Sequence, residues 1–133
     1  MRAIPLMLLL MASACATSQT PMSEATPVHV TAQQSTKPDA AHCTVIRDTG
    51  ILGSISSSVL TVDDVEYAKL WPGDRADLSL DPGLHQLAIG PGLDLGVVLP
   101  TTIDVDMQPS TMYVYRVSID QIGWHLSRVV NAH

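Results

Sequence analysis

Residues 78–89 read Leu78-Ser79-Leu80-Asp81-Pro82-Gly83-Leu84-His85-Gln86-Leu87-Ala88-Ile89. Leu78 and Leu80 share one parity, and Leu87 and Ile89 share another, so each pair lies on one face of an extended strand. Between the two runs, Pro82 presets φ and Gly83 accepts the positive φ that a tight turn requires. Asp77, Ser79 and Gln86 fall on the opposite parities, which suit solvent. The unit is therefore two half-buried strands joined by a short turn.

The same texture extends in both directions. Ile103, Val105 and Met107 alternate with Asp104 and Asp106, and Tyr113, Tyr115, Val117 and Ile119 hold one parity of the next run. Asp63-Asp64 and Pro72-Gly73-Asp74 supply further turns. The spacing predicts strands at 43–48, 57–63, 65–70, 75–80, 84–89, 101–107, 111–119 and 123–130. The fold class expected is all-β, a small antiparallel β-sandwich of about seven to eight short strands over residues 43–131. Met112 and Val114 make the start of 111–119 apolar on both parities, as in a central strand. Gly90-Pro91-Gly92 to Pro100, which includes Leu95 to Leu99, reads as a long loop with an apolar flap.

A chain of 133 residues with no Phe has one domain and an aliphatic core. Its net charge of −6, with seven Lys and Arg against thirteen Asp and Glu, argues against a nucleic-acid partner, because phosphate binding draws on clustered cations.

Residues 1–14 read as a signal peptide: Arg2, an apolar run from Ile4 to Met11, then Ala12-Ser13-Ala14 before Cys15. The Ala-Ser-Ala-Cys order resembles a lipoprotein signal. The resemblance implies that the Cys15 thiol carries diacylglycerol, that cleavage precedes it and that its amine is acylated, with several chains giving stable anchorage. Ala16 after the cysteine resembles the pattern sent to the outer membrane, facing the periplasm. Residues 15–42, poor in apolar side chains, are expected to form a flexible tether, with an r.m.s. span of about 25–30 Å over 16–41. The alternative is that Val28-His29-Val30 adds an edge strand.

Val45-Ile46-Arg47, Gly50-Ile51-Leu52-Gly53, Val62-Asp63-Asp64, the short Tyr-Ala-Lys-Leu strand from Tyr67, Leu80-Asp81-Pro82-Gly83-Leu84-His85 and Met112-Tyr113-Val114-Tyr115-Arg116 follow one another in an order that carries a second resemblance. Over residues 43 to 130 the chain resembles bacterial lipoprotein domains of the uncharacterised family numbered 2846 among domains of unknown function, themselves similar to PEGA-type β-sandwich modules. It departs from that pattern at Asp64, where the family has Gly. The resemblance implies a sandwich in the cell envelope and transfers no catalytic residue.

No assembled chemistry stands out. Cys43 is the one thiol left once Cys15 is acylated, and is expected to be buried at the start of the first strand, with an intermolecular disulfide as the alternative. His29, His42, His85, His125 and His133 lack metal-ligand spacing, and Asp74, Asp77, Asp81, Asp104 and Asp106 lack a calcium-loop pattern, so no metal or cofactor is expected. Ser54, Ser56, Ser57 and Ser58 have no nucleophile elbow around them. Trp71, His85 and Trp124 are the candidate partner surface; Trp71 and Trp124 with the two tyrosines read as an exposed aromatic platform, or, as Trp beside a turn commonly is, as a cap over the end of the small core.

The function expected is that of a membrane-anchored, non-enzymatic envelope module that binds another envelope protein or a cell-wall component. An open sheet edge, 43–48 or 123–130, would accept a partner strand. The alternative is a periplasmic enzyme or enzyme inhibitor using the 90–100 loop and His85.

Overall fold

At Asp63-Asp64 the backbone turns through two consecutive positive φ values, 51° and 64°. A two-residue hairpin of this kind matches the right-handed twist of its strands, and short acidic side chains tolerate the conformation. At the next connection Gly73 has φ 86° and Asp74 N–H donates to Trp71 O at 2.9 Å, closing a turn with Pro72 at its first corner. Turns of this chemistry divide the chain as its alternation anticipates.

The computed structural model describes residues 19–50, 56–92 and 99–129. Residues 1–14, expected as a signal peptide, and Cys15, Gly53, Ser54, most of the expected apolar flap and His133 lie outside them. The strands are β1 (Thr26–Pro27), β2 (Ala41–Arg47), β3 (Ser58–Val62), β4 (Val65–Leu70), β5 (Asp74–Leu80), β6 (Gly83–Pro91), β7 (Thr101–Met107), β8 (Met112–Ile119) and β9 (Trp124–Arg128). They form an all-β sandwich of two sheets, ordered β1-β5-β2-β8-β9 and β4-β3-β6-β7.

The core lies between the sheets. One sheet contributes Cys43, Val45, Leu78, Leu80, Tyr113, Tyr115, Val117 and Trp124, and the other Leu60, Val62, Leu70, Leu87, Ile89 and Met107, all nearly or wholly buried. Most pairings are antiparallel, but β8 runs parallel to β2, from His42 opposite Met112 to Arg47 opposite Val117. The expectation of 43–48 as an open edge is therefore corrected: β2 is the central strand, flanked by β5 and β8. Burial of Ile46 as well as Val45 reflects this, because a central strand can be covered on both faces.

The strand ends define two poles. The proximal pole carries the Trp71–Gly73 turn, the ends of β2 and β8, and the starts of β7 and β9. The distal pole carries the Asp63-Asp64 hairpin, the Asp81-Pro82 turn and the 108–111 connection.

Residues 19–40, expected as part of a loose tether, are laid along the sandwich instead. Thr20 N–H donates to Asp48 Oδ1 at 3.1 Å, and Thr20 O accepts from Arg116 at 2.8 Å. Arg75 donates to Met22 O at 2.8 Å. Arg75 and Arg116 are the register neighbours of Ile46, so these contacts bracket its outward, fully buried side chain. β1 then pairs in parallel with β5, Val28 N–H donates to Arg75 O, and Thr31 N–H crosses to Tyr67 O on β4. Gln34 completes the attachment, its carbonyl accepting from Ser79 N–H and its amide donating to Asp77 O. This strap covers the side where the edges of β5 and β4 meet, with Val28 and Val30 against the core. The physical reason is that a polar segment can dock through backbone groups, which composition does not register.

Candidate functional site

His85 stands at the distal pole with both ring nitrogens engaged. Nδ1 lies 2.6 Å from Asp63 Oδ2, and Nε2 lies 2.6 Å from Asp81 O. A carboxylate and a carbonyl are both acceptors, so the ring satisfies them together only by holding two protons. Burial disfavours the charged ring, but these bonds and the negative charges of Asp63 and Asp81 outweigh it and raise its pKa above the ordinary value. Asp63 shows the reciprocal shift. Burial acts to raise it, yet the Gln86 N–H at 2.8 Å and His85 prevail and hold its carboxyl below the usual range. The result is a clasp between two turns, in which His85 ties the β3–β4 hairpin to the β5–β6 connection.

The clasp fixes a pH dependence. His85, with its folded-state pKa raised, contributes fully below its unfolded value, about 6.5, and loses that contribution as pH rises through the higher folded value. Asp63, lowered, contributes above the ordinary carboxylate range and loses it in acid. The denaturation midpoint of the wild type should therefore fall between about pH 5.5 and about pH 8, and His85→Gln should fall less over that interval. Urea titrations of both proteins at the two pH values check this, and parallel slopes would refute the charged clasp.

Beside the clasp is a polar cleft of about 380 Å³, lined by Gln33, Ser35, Lys37, Tyr67, Asp81 and His85 among others. Its wall is the strap: the Ser35 hydroxyl donates to Asp81, and Lys37 Nζ lies 3.4 Å from the same carboxylate. Ser35 and then Lys37 hold the Asp81 carboxyl below its usual range. The cations in the cleft thus already have anionic partners.

The three expected partner-surface residues are not brought together. Trp71 is half exposed at the proximal pole, His85 is at the distal pole, and Trp124 is 5% exposed, with the Arg47 guanidinium 5.0 Å from its ring centre. The aromatic platform of Trp71 and Trp124 is thereby corrected. Trp124 shares parity with Leu126 and faces the core for that reason. His85 and the described ends of the 90–100 loop, Pro91, Leu99 and Pro100, stand at opposite poles, and residues 93–98 lie outside the described residues. His125 is near that loop, in a second cleft of about 540 Å³ with Leu99, Thr101, Ile122 and Trp124, and its Nε2 lies 2.7 Å from Asp120. Cys43 is 1% exposed, and burial pushes its thiol up to about 12, so it holds its proton at neutral pH and is unreactive while the core is closed. Among the described residues no three His, Cys, Asp or Glu side chains converge as a metal site.

The sheet edges differ in what they offer. The strap occupies β5, β4 carries Glu66 and Lys69 and is shifted by a bulge between Leu60 and Thr61, and β7 carries Asp104 and Asp106. Charges and bulges of this kind discourage pairing. On β9, Val129 N–H donates to Val114 O, so by alternation the backbone groups of Ser127 and His125 face β8, whereas those of Trp124, Leu126 and Arg128 face outward. Trp124 O is taken by the Thr101 hydroxyl at 2.7 Å. Leu126 and Arg128 therefore leave outward backbone groups at the β9 edge, which carries no carboxylate, a feature that parity alone could not reveal. No family model and no curated protein matches the chain.

Proposed function

We propose that the protein is a lipid-anchored envelope module, held in a membrane through Cys15, that acts by binding rather than by catalysis. The observation that carries this reading is the Ala12-Ser13-Ala14-Cys15 sequence after a short apolar run. Small residues are what a signal peptidase needs, and a cysteine at the next position is what acyl transfer needs. The resemblance to the family numbered 2846 agrees with an envelope location, and Ala16 after the cysteine favours the periplasmic face of the outer membrane.

The binding element is the β9 edge, which takes an extended segment of an envelope protein or a cell-wall peptide by strand addition. The open backbone groups of Leu126 and Arg128 support this assignment. A proline removes an N–H, and at Arg128 the N–H lost is an outward one, so the β8–β9 ladder is kept. Arg128→Pro should retain the circular-dichroism spectrum of the wild type while losing capture of envelope material in crosslinking. Equal capture by both proteins would exclude the edge. Mass spectrometry of the mature N-terminus tests the anchor: fatty acids on Cys15 are expected, and a free thiol there would refute it.

A further inference from the structure

The anchored end of the sandwich is not at the end of a long leash. Thr20 is fixed through both its N–H and its C=O, to Asp48 and Arg116. Asp48 is buried, and its Oδ1 also lies 2.7 Å from Arg116. Only Ala16, Thr17 and Ser18 separate Cys15 from the first described residue, Gln19. An extended chain gains at most about 3.6 Å per residue, so the acylated cysteine can stand no more than about 15 Å from Gln19. Whatever surface the acyl chains enter, the proximal pole must lie close to it.

That pole is equipped for the position. Ile122 is 91% exposed at the tip of the β8–β9 turn, Leu99 is 87% exposed just before β7, Trp71 is 50% exposed in the β4–β5 turn, and Met22 is 40% exposed beside the attachment of the strap. Asp48, Asp74 and Asp120 at this pole are engaged by Arg116, by the Trp71 N–H at 2.9 Å and by His125, and Glu24, close to the Thr26 N–H bond to Gly73 O, adds an exposed acidic side chain. The distal pole carries Asp39, Asp63, Asp64, Glu66, Asp81 and Asp106, with Lys37 as its lysine. An anionic bilayer surface repels such a cluster and accepts the apolar pole, and an exposed indole suits the headgroup layer.

We infer that the proximal pole docks on the bilayer, with Trp71, Leu99, Ile122 and Met22 at the headgroup level, so that the domain stands upright on the membrane with its distal acidic pole outward. This rests on the lipid-anchor reading above and adds an orientation to it. The β9 edge then stands beside the membrane, and the His85 clasp faces the periplasmic space.

The test uses the full chain produced in a bacterium, with the mature protein purified from membranes, its N-terminus weighed, and then reconstituted in phosphatidylethanolamine and phosphatidylglycerol vesicles with brominated acyl chains. Of the two tryptophans Trp71 should be quenched and the buried Trp124 spared, so that total emission falls by roughly half. In Trp71→Phe the residual emission should be insensitive to bromine. Leu99→Asp with Ile122→Asp, both at exposed positions, should stay anchored yet lose the quenching. Fatty acids on Cys15 without quenching would overturn the docking and leave the anchor standing. In that case concentration-dependent crosslinking at the same pole would assign it to a second copy. A mature chain without fatty acids would overturn the anchor and this orientation together.

Discussion

Replacing Arg47 with alanine should destabilise the domain by about 3–5 kcal/mol, a large share of the 5–15 kcal/mol that holds a small domain together. Arg47 is 1% exposed, yet it is a charged side chain at the end of a central strand. One of its terminal nitrogens donates to Ser56 O at 2.6 Å and to Leu70 O at 2.7 Å, and the guanidinium faces the Trp124 ring. Burial lowers its pKa and the charge of Asp74 acts against that, so a cation is kept in place rather than discharged. These bonds join β2 to the end of β4 and to the chain before β3, and thereby tie the two sheets at the proximal pole. Alanine would deprive two carbonyls of this donor and open a void beside Trp124. Each buried acceptor left unsatisfied costs about 1–3 kcal/mol, and the lost packing adds to it. Leu70 O keeps the Ser58 hydroxyl at 3.1 Å, which lessens the loss on that side. Arg47→Met, which restores volume without donors, should recover part of the loss, and Arg47→Lys should fall between. Urea denaturation with an unchanged m-value measures the effect; Arg47→Met at wild-type stability would show that the bonds contribute nothing net.

Arg47 also illustrates which parts of the fold are legible in the sequence. The alternating runs around Asp81-Pro82-Gly83, and those from Ile103 and Tyr113, place eight strands, because parity is a local property and a half-buried sheet enforces it. Parity assigns faces but does not order the strands. Residues 43–48 therefore read equally well as an edge, although β2 lies in the middle with Ile46 buried on its outer face. Trp124 shares parity with Leu126 and so was legible as a core residue, whereas nothing local distinguishes Trp71, whose exposure follows from the turn that holds it. An arginine closing a strand reads as solvent-facing, and its burial becomes visible only when the carbonyls of Ser56 and Leu70 are brought to it from elsewhere in the chain. The His85 clasp joins residues 22 apart in the chain through a turn of matched shape, which no motif encodes.

The segment before β2 separates the two readings most sharply, and removing it should be felt. A chain beginning at Ala41 would lose Ala25 and Ala40, both buried, together with Val28 and Val30 against the core. It would also release the backbone bonds from Val28, Thr31 and Ser35 and bare the edge of β5. At about 25 cal/mol per Å² of apolar surface, less the chain entropy recovered on release, the expected loss is on the order of 2–3 kcal/mol. A flexible tether would contribute almost nothing, so the sign and size of the change decide between tether and strap. Because an exposed edge also invites aggregation, the point variants are the cleaner measurement. Val28→Ala with Val30→Ala keeps the chain length and the β1 pairing, and should lower stability by about 1–2 kcal/mol, less than full burial would imply because both side chains are only partly covered. Gln34→Ala should add to this by removing one acceptor and one donor at β5, from Ser79 N–H at 2.6 Å and Asp77 O at 3.1 Å. Hydrogen exchange provides the local readout: protection of the Val28, Thr31 and Ser35 amides above that of an unstructured chain is required by the strap. Fast exchange at all three, with no stability change in the valine pair, would return these residues to a free linker.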